Sequence, residues 1–132
     1  MLQGSCLCGQ VTYEIDAPLG PIAHCHCATC RKAHSAAFSS VSAIAKDKFK
    51  ITRGAELLNS FESSPGKTRH FCCNCGSQIY AVRDGAGHII LRLGCLDTPI
   101  NEPPEAVHIW RSDGASWYDP KAPLPEFDEA PE

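Results

Sequence analysis

The chain has 132 residues, 43% of them hydrophobic and 20% charged, and its twelve Lys and Arg against fifteen Asp and Glu give a formal charge of −3. That length holds one core rather than two, and that charge offers no basic field to grip a phosphate backbone, so no nucleic-acid partner is expected. The longest apolar run, Ile89-Ile90-Leu91, stops at Arg92, far short of the ~20 residues of a membrane span. No secretory pattern opens the chain at Met1 to Ser5, so the expected location is the cytoplasm, where thiols stay reduced.

In chain order, Val11, Tyr13 and Ile15 alternate with Thr12, Glu14 and Asp16, which predicts a half-buried strand over 10–16, ended by Pro18 and Pro21. Residues 27–37 are Ala-rich and lack Gly and Pro, predicting a short helix. Segments 38–45, 48–52 and 57–62 read as strands of an antiparallel meander, separated by Lys46-Asp47 and Arg53-Gly54 and closed by Ser63 to Gly66. Segments 77–83 and 88–93 form a hairpin around Asp84 to Gly87, where Gly85 and Gly87 supply the positive φ of a tight turn. Pro99, Pro103 and Pro104 then prevent regular structure until 106–110, an edge-strand candidate. Four prolines and four carboxylates in 120–132 make a tail unable to fold alone. The expected architecture is one mainly β domain over 1–132, with antiparallel sheets and little helix.

The nine cysteines, about 7% of the chain, fall into Cys6-Leu-Cys8, Cys25-His-Cys27-Ala-Thr-Cys30, Cys72-Cys73-Asn-Cys75 and the single Cys95. Spacings of two and three aim thiolates at one point and suit a metal better than a disulfide framework. A thioredoxin-like redox CxxC would predict one dominant pair in a βαβ surround, which this strand-rich chain lacks. Thiolate donors in a reducing compartment suit zinc, with an iron–sulfur cluster as the lesser alternative.

Counting ligands divides the clusters. A closed zinc site takes four donors, supplied by Cys6, Cys8, Cys72 and Cys75, with Cys73 competing for the place of Cys72. Cys25, Cys27 and Cys30 leave a second zinc with three donors and one open position, the arrangement of a reactive site. Alternation turns His26 away from a metal that Cys25 and Cys27 face. His24, His34 or Cys95 would close the site if it were only structural.

Gly4-Ser-Cys-Leu-Cys-Gly9, Cys25-His-Cys-Ala-Thr-Cys-Arg-Lys32, Phe71-Cys-Cys-Asn-Cys-Gly76 and His108-Ile-Trp110 with Trp117 together resemble the glutathione-dependent formaldehyde-activating enzyme (GFA) family, which also includes centromere protein V. The likeness runs from residue 4 to about residue 128. It implies a β-tent fold of antiparallel sheets with two zinc ions per chain, a structural one on Cys6, Cys8, Cys72 and Cys75 and an active one on Cys25, Cys27 and Cys30. It further implies carbon–sulfur lyase chemistry, the reversible joining of glutathione and formaldehyde into S-hydroxymethylglutathione.

Zinc on three thiolates carries a charge of about −1 and is a weaker Lewis acid than zinc on three histidines, so it favours a thiol in its fourth position. Together with the resemblance, this implies a small thiol and a small aldehyde as partners, bound by a monomer or homodimer. Arg31 and Lys32, directly after the second cluster, are the nearest cations for the carboxylates of glutathione. Trp110, Trp117 and His108 are read as packing and surface residues. Two other readings compete: a non-catalytic zinc-stabilised β-tent binding module, and a methionine sulfoxide reductase B-like enzyme using Cys95 as its redox cysteine.

Overall fold

The computed structural model describes residues 1–131; Glu132, the end of the acidic tail, lies outside the described residues. Val11, Tyr13 and Ile15, the apolar side of the first alternating segment, are all buried. They lie in or beside β2 (Thr12–Ile15), which pairs antiparallel with β1 (Leu2–Ser5) and with β5 (Phe49–Arg53) in a three-stranded sheet.

The second sheet has seven strands. Its order runs from β10 (Ala106–Ile109) through β3 (Ile22–Cys25), β4 (Ser39–Ala45), β9 (His88–Arg92), β8 (Gln78–Arg83) and β7 (Lys67–Cys72) to β6 (Leu58–Ser64). All its pairings are antiparallel except β10 with β3, where Ile109 stands opposite Cys25. Both sheets contribute to one apolar cluster that includes Val11, Tyr13, Ile15, Ile44, Ile79 and Leu91. Burial of such side chains stabilises the fold by roughly 1.5–3 kcal/mol each.

The expected meander is corrected. Segments 38–45, 48–52 and 57–62 are strands, but β5 pairs with β2 in the other sheet and β6 forms the far edge of the larger one. The connections explain this. A 3₁₀ turn at Lys46–Lys48 and a second at Ala55–Leu57, entered through Gly54 at φ 80°, each rotate the chain out of the plane that a tight hairpin would keep.

The hairpin of β8 and β9 is present, with Tyr80 opposite Leu91 and Ala81 opposite Ile90. Its turn uses Gly85 at φ 77°, whereas Gly87 is not among the residues with positive φ. Helix α1 (Ala28–His34) is shorter than the predicted 27–37 because Ser35 adopts a left-handed conformation at φ 50°. At its start the Cys27 sulfur accepts a hydrogen bond from the Cys30 N–H at 3.3 Å, a local cap that pins both cysteines. Residues 121–131 are exposed and form no helix or strand. No helix among the described residues is long and apolar enough to cross a membrane.

Candidate functional site

The first sulfur group joins the turn after β1 to the end of β7. Cys6 and Cys72 are buried, Cys8 is exposed and Cys75 half-buried, and their four sulfurs lie within 4.8 Å of one another. The Cys6 and Cys8 sulfurs are 3.5 Å apart and those of Cys8 and Cys72 are 3.9 Å apart. These are not disulfide distances, which are about 2.05 Å. Tetrahedral zinc with Zn–S bonds of about 2.3 Å needs sulfurs about 3.8 Å apart, so the donor set fits such an ion. Both turns are tight, with Gly9 N–H donating to Cys6 C=O and Gly76 N–H to Cys72 C=O. The Val11 N–H donates to the Cys6 sulfur at 3.3 Å. Cys73 is exposed and stands outside this group.

The second group takes Cys25 from the end of β3, Cys27 from the helix cap and Cys30 from α1, again with all sulfurs within 4.8 Å. Among the described residues no fourth His, Cys, Asp or Glu joins it. His26 is fully buried and engaged elsewhere. Arg111 Nη1, which can only donate, lies 3.3 Å from His26 Nδ1. His26 Nδ1 therefore accepts, its proton sits on Nε2, and that N–H donates to His108 Nδ1 at 2.8 Å. His24 Nδ1 is 2.9 Å from the Ser40 hydroxyl, and the Cys95 sulfur donates to the Gln78 carbonyl at 3.7 Å. Nε2 of His34 is buried with no partner, and burial beside Arg92, Arg69 and Lys67 depresses its pKa to about 4.

The three sulfurs open on a cavity of about 430 Å³. Its cations, missed in the sequence, are Lys67 and Arg69 from β7, Arg83 from β8 and Arg92 from β9; Asp113 and the αL residue Trp110 (φ 58°) also line it. Arg31 and Lys32 do not line it, and Lys32 instead borders a neighbouring groove with Phe61 and Phe71. Trp110 and Trp117 are 60% and 70% exposed, so of the packing roles read for them only a rim position holds for Trp110.

Arg69 and Arg92 are each 3% exposed. The Nε of Arg69 donates to the Ser63 hydroxyl at 2.9 Å and its Nη2 to the Cys30 sulfur at 3.6 Å, while its Nη1 has no partner. In Arg92 both Nε and Nη2 lack partners, and burial lowers its pKa to about 10. Burial opposes ionisation of Cys30, but the adjacent Ser39 hydroxyl and the Arg69 guanidinium outweigh it and bring the thiol down to about 6. The thiolate is the form in which a cysteine ligates metal.

Residues 1–113 match the sequence model of the family described as glutathione-dependent formaldehyde-activating enzyme. The chain belongs to this family. Among its relatives is a Halomonas elongata protein named "Putative glutathione-dependent formaldehyde-activating enzyme", 26% identical over 127 residues, covering 90% of this chain and 80% of that one. A Schizosaccharomyces pombe protein named as an uncharacterized lyase is 31% identical over 78 residues, or 59% of this chain and 55% of its own length. The crystal structure of a Rhodobacter sphaeroides protein superposes with a TM-score of 0.64 at 20% identity, covering 80% of this chain and 99% of that chain, and shares the fold. Both groups of convergent sulfurs, each able to hold a metal ion, lie within the matched residues.

Proposed function

We propose that the protein is a zinc-dependent carbon–sulfur lyase that joins or releases glutathione and formaldehyde as S-hydroxymethylglutathione. In this reading Cys25, Cys27 and Cys30 hold the reactive zinc, and Cys6, Cys8, Cys72 and Cys75 hold the structural one. The observation that carries it is the contrast between the two groups: four sulfurs close around one point, whereas three sulfurs face a cavity with no fourth protein donor among the described residues.

When bound, a zinc ion on the three sulfurs supplies a Lewis-acidic position that favours thiol over oxygen ligands. The protein's own groups do the rest. Arg69 donates to the Cys30 sulfur through Nη2 at 3.6 Å, a contact that favours the thiolate form. Val41, Ile90 and Ile109 line the cavity with apolar surface and limit water beside the reacting carbon. Addition forms one C–S bond, and the thiol proton ends on the former carbonyl oxygen, so no oxidant or reductant enters.

One apolar cluster shared by both sheets supports a single domain. The test is adduct formation followed by NMR with the zinc-replete protein at low formaldehyde. The wild type is expected to exceed the spontaneous rate at least tenfold and Cys27→Ala to match it. A fully loaded wild type that gives only the spontaneous rate would leave the chain as a zinc-stabilised binding module.

A further inference from the structure

The cavity carries more positive charge than its sulfur group requires. Lys67, Arg69, Arg83 and Arg92 face it against the single carboxylate of Asp113. A tri-thiolate zinc contributes a net charge of about −1, which leaves about two positive charges without a counter-charge in the cavity. Two of these cations are buried to 3% exposure with donors that no described residue satisfies: Arg69 Nη1, Arg92 Nε and Arg92 Nη2. A buried charged donor left unpaired is costly, and a fold tolerates that where a ligand completes the bonding. Arg69 cannot be explained wholly by its thiolate, since one guanidinium edge serves Ser63 and Cys30 while Nη1 remains free.

We propose that Arg92 and Arg69, supported by Lys67 and Arg83, form an anion-recognition floor that holds the carboxylates of the incoming thiol and so selects anionic thiols over neutral or cationic ones. This rests on the thiol–aldehyde reading above. Guanidinium forks match carboxylates by paired N–H donors, and two such forks beside three sulfurs orient a thiol that carries carboxylates at a distance from its sulfur. Arg92 and Arg69 act here as positioning residues, because the reacting atoms lie at the sulfur group.

The experiment uses the zinc-loaded full chain and S-methylglutathione, which keeps both carboxylates but has no thiol to enter the metal. Calorimetry is expected to show binding that weakens steeply with salt and falls at least tenfold in Arg92→Gln, with partial recovery in Arg92→Lys and an unchanged zinc content. The dimethyl ester of the same probe is expected to bind at least tenfold more weakly to the wild type. Should Arg92→Gln fail to fold, Arg83→Gln, at an exposed residue, combined with Lys67→Gln, at a half-buried one, is expected to weaken the probe about threefold to tenfold. Equal binding of acid and ester, or of wild type and these variants, overturns the proposal.

Its failure separates from that of the parent reading. If cysteamine and glutathione are both converted with formaldehyde at equal efficiency, thiol–aldehyde chemistry stands and anion selection falls. If S-methylglutathione binds in an Arg92-dependent way while no thiol is converted, the anion floor stands and the lyase reading falls.

Discussion

His26 Nε2 and His108 Nδ1 lie 2.8 Å apart, tying the residue between two cavity cysteines to the parallel edge strand β10. His26 is fully buried, so its N–H has no water to turn to if the acceptor is lost. His108→Phe is expected to cost about 1–3 kcal/mol in urea denaturation, the penalty of an orphaned buried donor. The double variant His26→Phe/His108→Phe, which removes both partners, is expected to recover most of that loss.

Stability should fall as the solution is acidified from pH 7 to pH 5. Burial lowers the pKa of His24, His26, His34 and His70, that of His34 to about 4. Between about 6.5 and 4 the unfolded chain binds protons that the folded chain refuses, so lowering the pH favours unfolding and raising it restores stability. His34→Gln is expected to flatten the slope of denaturation midpoint against pH over this range, and an unchanged slope would contradict the assignment.

The two sulfur groups should respond differently to single substitutions. Cys6 and Cys8 are joined to Cys72 and Cys75 across the core, with Cys8 and Cys72 separated by 64 residues in sequence. Cys72→Ala is expected to lose one zinc of two and at least ~3 kcal/mol of stability, because binding free energy at such a site is folding free energy. Cys27→Ala is expected to lose one zinc and retain the circular dichroism and melting temperature of the fold to within a few degrees. Mass-spectrometric metal counts beside thermal melts check both.

Gly54 is required by its backbone and its neighbours together. It sits at φ 80°, and a Cβ there would run into the backbone carbonyl of Gln10. Gly54→Ala is expected to destabilise by about 1–3 kcal/mol. Since Gly54 steers the chain from β5 toward the other sheet, its solution spectrum should show the largest amide shifts around residues 9–12 and 53–57.

Much of the site was legible in sequence because metal chemistry restricts spacing. Two short cysteine turns far apart in the chain can satisfy four ligand positions only by meeting, and they do. The strand at Thr12–Ile15 and the hairpin of Gln78–Arg83 with His88–Arg92 were legible too, since alternation and a glycine turn are local signals. Strands β1, β3 and β7 were not read. In β7 an inward-facing Arg69 occupies a position where alternation calls for an apolar side chain, and in β3 Pro21 and the cysteines mask a four-residue run.

What the amino-acid order determined by itself was the short cysteine turns with their spacings of two and three, along with the strand-rich class, because each depends on neighbours within a few residues. What only the folded chain decided was which cations face the three sulfurs. Lys32 follows Cys30 by two positions, which on a helix is more than half a turn, so it points to a different groove. Arg69 and Arg92 come from strands that β8 separates, and only the register of the sheet carries their guanidinium groups to the same cavity.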